Sequence, residues 1–183
     1  DVLCVGATDE LTRQAMSVLE AEFEDRGIQW APHKKRGPCR CIEFLGLLLA
    51  NTDEWRGVTL TRKRLRKLTS EIGEWAALEP DEGRREAEPK AVASLLGKLV
   101  FASQTVPGGR TYMQGMLSAF KGVVVDWRRG TVSVEGRKGL PLWLHEGFWR
   151  DLRWWQHHLA WHSFTPFEEA VVGDAGLVLA GTD

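Results

Sequence analysis

The densest apolar run in the chain is Cys41-Ile42-Glu43-Phe44-Leu45-Gly46-Leu47-Leu48-Leu49, too short to span a membrane and rich enough to be buried. Arg36-Gly37-Pro38 announces it, and Asn51-Thr52-Asp53 closes it with polar turn formers. The run is therefore predicted to be a strand pair bent at Gly46. A glycine inside a strand pattern marks a bulge or a close backbone approach, whereas periodicity alone reads the same residues as an ordinary core strand.

Upstream, Asp1-Val2-Leu3-Cys4-Val5-Gly6 predicts a short strand that starts without a leader. Thr8 is a good N-cap, and Leu11, Ala15, Val18, Leu19 and Phe23 recur at helical spacing up to a stop at Gly27. Ile28-Gln29-Trp30 reads as a return strand, and Ala31-Pro32-His33-Lys34-Lys35-Arg36 as an extended basic loop. Strand, helix, strand and hairpin in that order indicate an α+β or split β-α-β arrangement.

Downstream, Thr61 caps a predicted helix from Arg62 to about Leu78, with Leu65, Leu68, Ile72, Trp75 and Ala76 on its apolar face. Glu79 to Glu88 is charged, holds Pro80 and Gly83, and reads as a surface loop without a core. Pro89 suits the first turn of another helix, with Val92, Leu95, Leu96, Leu99 and Val100 buried and Gly97 allowing close packing. After the break at Val106-Pro107-Gly108-Gly109-Arg110, Tyr112, Met116, Leu117 and Phe120 start a further helix, completing a helical hairpin. Residues 123–126 and 131–134 predict a β-hairpin around Arg128-Arg129-Gly130. Pro141 to about Trp161 is the last long helix, with Leu142, Phe148, Trp149, Leu152, Trp155 and Leu159 buried. From Phe167 the pattern changes to that of a new strand pair.

Composition narrows this only a little. The 183 residues suffice for one domain or two small ones, and 24 Lys plus Arg against 25 Asp plus Glu leave a formal charge of -1. Nucleic-acid contact would have to come from local patches. Cys4, Cys39 and Cys41 fit neither a disulfide framework nor a zinc site and read as reduced, buried thiols. With no transmembrane run and no signal-peptide pattern, a soluble protein of a reducing, intracellular compartment is expected, with no membrane partner. Six of the nine tryptophans lie between Trp127 and Trp161.

Several constellations could carry chemistry. Arg62, Lys63, Arg64, Arg66 and Lys67 crowd cations into the start of a helix, where the dipole disfavours them unless an outside anion compensates. A phosphate partner explains the pattern, and so does a solvated basic face offset by Glu71 and Glu74. His158 and His162, near His157 and His145, have a spacing that can place two imidazoles on one metal, or they are surface histidines. Asp151, Arg153 and Glu146 read as a solvated charge face. Trp154, Trp155 and Trp161 could stack on unpaired bases, or pack into a core or a subunit interface.

Taken together, these blocks resemble reverse transcriptases of DIRS-like (tyrosine-recombinase) retrotransposons over most of the chain. Asp1 to Gly6 looks like the strand beginning with the second aspartate of the Tyr-x-Asp-Asp signature. Gly27 to Pro38 looks like the family's Gly-to-Gly-Pro segment, and Glu43-Phe44-Leu45-Gly46 looks like its primer grip. Ser94-Leu95-Leu96-Gly97-Lys98-Leu99, Val106 to Arg110 and Asp151-Leu152-Arg153-Trp154-Trp155 are similar to its thumb or connection region. Val172-Gly173-Asp174-Ala175-Gly176 looks like the opening of a ribonuclease H domain.

The resemblance implies a partial palm over 1–57, a mainly helical thumb or connection over 58–166 and a vestigial ribonuclease H start over 167–183. Asp1 would be one carboxylate of a two-metal magnesium site and Lys34 the cation that assists the leaving group. Phe44, Leu45 and Gly46 would hold the primer end, and Arg62, Lys63, Arg64, Arg66 and Lys67 would touch phosphates without reading sequence. The first aspartate of the pair and the upstream fingers are missing, and Asp174 alone cannot make a ribonuclease H site. The expectation is thus a polymerase fragment or a retroelement remnant that binds RNA or a template-primer duplex and is catalytically inert alone, with magnesium only in an intact polymerase. The alternative is a non-catalytic structural subunit that docks on protein partners through its Trp-rich C-terminal helix.

Overall fold

A computed structural model of the chain describes residues 2–29, 31–81, 83–162 and 164–167. The architecture is mixed α+β with small sheets. Two compact units are present: one is formed by the described residues up to Gly57 with Pro166 and Phe167, the other by Val58–Thr165.

In the first unit, helix α1 (Asp9–Asp25) begins where Thr8 Oγ1 accepts the Leu11 N–H at 3.2 Å, and Asp9 and Glu10 complement the dipole in its first turn. It ends in a Schellman motif. Ile28 N–H bonds to Phe23 O at 2.8 Å and Gly27 N–H to Glu24 O at 3.0 Å, with Gly27 in the left-handed region at φ 68°. Ala15 is buried, whereas Leu11 and Val18, expected to be covered, are 48% and 64% exposed. Neither Val2–Gly6 nor Ile28–Gln29 forms a strand. These runs have the composition of strands, but a strand exists only where a neighbouring ladder takes its backbone groups. The expected strand-helix-strand arrangement is thereby corrected.

The hairpin forms as expected. Strands β1 (Cys41–Phe44) and β2 (Leu47–Asn51) pair antiparallel, Cys41 opposite Ala50 and Phe44 opposite Leu47. The two loop residues Leu45 and Gly46 have φ of 48° and 85°, the left-handed pair of a type I′ turn. Cys39 and Cys41 are exposed and Cys4 is half-buried, so the thiols are not core residues.

Strand β3 (Arg56–Leu60) leads into helix α2 (Arg62–Ala76), capped by buried Thr61, whose Oγ1 accepts the Arg64 N–H at 3.4 Å. The charged stretch that follows is not all loop. Strand β4 (Arg85–Ala87) pairs with β8 (Leu142–Leu144), Arg85 opposite Leu144 and Ala87 opposite Leu142. Helix α3 (Pro89–Ala102) carries its proline in the first turn and buries Val92, Leu95, Leu96 and Leu99, while Val100 is 52% exposed. Gly97 is exposed with open space around it, so it mediates no close helix packing. The next helical segment is broken: 3₁₀ turns at Thr111–Met113 and Ser118–Phe120 flank a single α-turn, α4 (Gln114–Leu117).

The expected hairpin is a three-stranded meander of β5 (Val124–Asp126), β6 (Thr131–Val134) and β7 (Arg137–Leu140). The last helix, α5 (Glu146–His162), starts five residues later than Pro141 because Leu142–Leu144 joins β4 instead. A short strand β9 (Phe164–Pro166) follows. Helix α5 is the pillar of the second unit, with Phe148, Trp149, Leu152, Trp155 and Leu159 buried among residues of α2, α4 and β8. Among the described residues no helix is long and apolar enough to cross a membrane.

Candidate nucleic-acid interface

The first two turns of α2 place Arg62 with Arg66, and Lys63 with Lys67, at i,i+4 spacing, about 6 Å apart along the axis. All four side chains are exposed. Among the described residues no ion pair neutralises any of them. Arg64 turns away from the group, its guanidinium 4.5 Å from the centroid of the Phe101 ring on α3. The first turn of α2 holds no carboxylate, so Thr61 alone caps the helix there.

At the acidic end of the same helix one of the two carboxylates is taken by a cation from another helix. Glu71 receives Lys98 Nζ from α3 at 2.6 Å, and Glu74 accepts a hydrogen bond from Ser70. Beyond the helix, Glu79 pairs with Arg153 of α5, which also reaches Glu146 at 2.6 Å. Arg153 and Glu146 are the exposed charge pair the sequence suggested. Glu71 and Glu79 thus have cationic partners of their own, whereas Glu74 keeps its charge at the far end of the helix, and the first two turns carry a cationic strip about one and a half turns long.

Asp151 is not part of that solvated face. It is 1% exposed, and Oδ2 accepts the Gly115 N–H at 2.6 Å while Oδ1 accepts Nε and Nη2 of Arg150 at 3.2 and 3.0 Å. The carboxylate satisfies an otherwise orphaned donor in the first turn of α4 from another helix. Here α4 crosses the start of α5 backbone to backbone, with Gly115 against Gly147. A signal existed: Gly147, Asp151 and Trp155 lie four apart, on one face of the helix.

The Gly108-Gly109 break and the Trp154-Trp155 pair, far apart in sequence, meet in this unit. A side chain at Gly109 would sit 2.8 Å from the Trp155 ring, so only glycine fits. Trp155 is fully buried and donates its Nε1–H to Tyr112 O at 2.9 Å. Trp154 is sandwiched between the rings of Tyr112 and His158, each 4.1 Å away and within 6° and 11° of parallel. Both faces of Trp154 are therefore covered, and Trp154 and Trp155 pack inside the unit rather than offering a face to bases. His158 Nδ1 lies 2.9 Å from Trp154 O; the side chains of His162 and Trp161 lie outside the described residues.

In the first unit, Lys34 is exposed on a 3₁₀ turn, Pro32–Lys34, and Lys35 forms an ion pair with Glu20. Leu45, at the hairpin tip, is 49% exposed with Phe44 and Gly46 half-buried beside it. A leucine held at positive φ with its side chain toward solvent is a local cost that the apolar pattern does not require. Asp1 lies outside the described residues, as does the tail with Asp174. Among the described residues no three His, Cys, Asp or Glu side chains gather as metal ligands.

No protein-family model matches the chain, and neither a curated protein nor a solved structure does.

Proposed function

We propose that the chain is a nucleic-acid-binding protein whose α2 basic strip grips the phosphates of a template-primer duplex, as the thumb of a reverse-transcriptase-like protein would, without catalytic competence of its own. The observation that carries the reading is the row Arg62, Lys63, Arg66 and Lys67, which no ion pair among the described residues neutralises, set on a helix whose Glu71 is taken by Lys98. Such a row contacts phosphates independently of sequence. The reverse-transcriptase part of the reading rests on the resemblance of the motifs, with the Leu45-Gly46 hairpin tip as the primer-grip counterpart. In that reading the residues up to 57 derive from a palm and 58–166 from a thumb or connection, and magnesium would act only within an intact polymerase. The reading as a structural subunit that docks through its tryptophan-rich helix is the weaker one, since Trp149 and Trp155 are each 1% exposed or less.

The test is a salt-titrated binding measurement with an RNA–DNA hybrid, comparing the chain with its Arg62→Ala/Lys67→Ala double variant. Removal of two phosphate contacts lowers the slope of log K against log salt by about 1.8. An unchanged slope and affinity would refute the assignment.

A further inference from the structure

The meander carries a second cationic surface of different chemistry. Residues 121–140 hold Lys121, Arg128, Arg129, Arg137 and Lys138 against two carboxylates, Asp126 and Glu135. All five cations are exposed. Asp126 is committed to its own loop: Oδ1 accepts the N–H groups of Arg128 and Arg129 at 3.0 and 3.1 Å, Oδ2 lies 3.8 Å from Arg129 Nε in a loose, exposed ion pair, and its carbonyl accepts the Gly130 N–H at 2.9 Å. The loop is thereby fixed, and at its tip Trp127 is 56% exposed. A tryptophan with more than half its surface in water is unusual, because its ring is among the largest apolar groups a fold can bury.

The register gives the face its direction. Val125 lies opposite buried Val132, so that side of the sheet faces the core, while Val124, 73% exposed, lies opposite Ser133 on the outer side. The Trp127-Arg128-Arg129 loop stands at one end of β6, and Lys138 of β7 stands near its other end on the side of Ser133, whereas Arg137 lies opposite Val134, on the side of buried Val132. Three strand steps separate these ends, about 10 Å. An aromatic plane flanked by arginines, with a further cation, Lys138, about a strand's length away, matches an unpaired nucleic-acid strand: a base stacks on the indole and neighbouring phosphates meet the cations. A duplex keeps its bases stacked on one another and offers the indole nothing.

We infer that the outer face of the meander, from Trp127-Arg128-Arg129 to Lys138, binds single-stranded nucleic acid, with Trp127 as the base-stacking platform. This surface is distinct from the α2 strip and shares with it only the reading that the chain binds nucleic acid.

The experiment measures affinity of the full chain for two probes, a single-stranded oligouridylate and a blunt RNA–DNA hybrid, with Trp127→Ala, Trp127→Phe and Arg62→Ala/Lys67→Ala. Circular dichroism establishes that each variant is folded. Trp127→Ala lowers oligouridylate affinity about five- to 150-fold and leaves hybrid affinity unchanged, and Trp127→Phe recovers most of the loss. The α2 variant weakens the hybrid instead. Loss of hybrid binding in Trp127→Ala as large as the loss of oligouridylate, equal behaviour of the Phe and Ala variants, or oligouridylate binding that is absent or indifferent to Trp127 overturns the inference. Trp127-dependent oligouridylate binding with no hybrid binding leaves it standing and removes the α2 reading instead.

Discussion

A single methyl group tests the account of how the second unit is held together. An alanine Cβ at Gly115 would lie 2.2 Å from the carbonyl oxygen of Gly147, 2.6 Å from its carbonyl carbon and 2.8 Å from Asp151 Oδ2. Two of these atoms are backbone and cannot rotate away, so α4 must withdraw from α5 by about 1 Å to reach ordinary contact distance. Overpacking of this kind costs about 1–3 kcal/mol. The withdrawal also stretches the 2.6 Å hydrogen bond from Gly115 N–H to buried Asp151, and a buried group left without its partner costs about 1–3 kcal/mol more. Against this stands the roughly 1 kcal/mol by which alanine favours a helix over glycine. Gly115→Ala is therefore expected to lose about 1–5 kcal/mol. The reciprocal substitution behaves differently: a Cβ at Gly147 meets nothing closer than Gly115 Cα at 3.5 Å, an ordinary contact. Gly147→Ala should be neutral or stabilising by up to about 1 kcal/mol. Urea unfolding followed by tryptophan fluorescence and far-ultraviolet circular dichroism reads both. With a slope of about 1–3 kcal/mol per molar urea, the Gly115 variant should lose on the order of 1–2 M in its midpoint. A Gly115→Ala change within about 0.5 kcal/mol of the parent, or a Gly147→Ala loss of similar size to it, would refute the crossing geometry.

Two further outcomes follow from the first unit. Leu45→Asn supplies the residue that type I′ turns favour in place of a leucine at φ 48°, and should raise hairpin stability by up to about 1 kcal/mol, read as a higher urea midpoint; a fall instead would mean that the half-exposed leucine is held by packing. The Cys4 thiol is raised above its ordinary value of 9.0 by burial and then by the charge of Glu20, so iodoacetamide at pH 8.5 should label Cys4 more slowly than exposed Cys39 and Cys41. The fold favours the neutral thiol, so its contribution to stability is present below pH 9 and fades as pH rises through the raised value; Glu20→Gln should speed the labelling of Cys4, and equal rates for parent and variant would exclude the charge effect.

The elements legible in sequence were those with a local chemical signal. Thr8 and Thr61 cap because a hydroxyl reaches the first turn, Gly27 ends α1 because it adopts positive φ freely, and Gly46 bends the hairpin for the same reason. The failures were cases where a distant partner decides. Arg85–Ala87 becomes a strand because Leu142–Leu144 offers a ladder, and a two-stranded edge tolerates charged side chains that face water. That pairing also takes Leu142 out of the helix its spacing suggested. Asp151 looked like a surface charge because it shares its helix with the charged Glu146 and Arg153, and only the position of Gly115, 36 residues upstream, gives its carboxylate a reason to be buried. The basic strip was visible from composition. Its lack of neutralising partners depended on Lys98 and Arg153 arriving from other helices, which no window of sequence contains.

That lack has a cost within α2 that makes the strip informative. Cations in the first turn oppose the helix dipole at about 0.3–1 kcal/mol each, and like charges at i,i+4 repel by about 0.2–0.5 kcal/mol per pair. Arg62→Ala removes a first-turn cation and the pair with Arg66, and Lys67→Ala removes the pair with Lys63, so the double variant should be more stable than the parent by about 1–2 kcal/mol. That exceeds the ±0.5 kcal/mol usual for surface substitutions. A merely solvated face offset by Glu71 and Glu74 would show no such gain, because removing cations would also remove attraction to those carboxylates. The two assays must therefore move in opposite directions in one protein, with the midpoint of unfolding rising while hybrid affinity falls. If stability falls with affinity, the cations are part of the scaffold and the strip is not a phosphate grip. Opposite signs mean that the helix carries its cations at a loss that a bound phosphate backbone makes good.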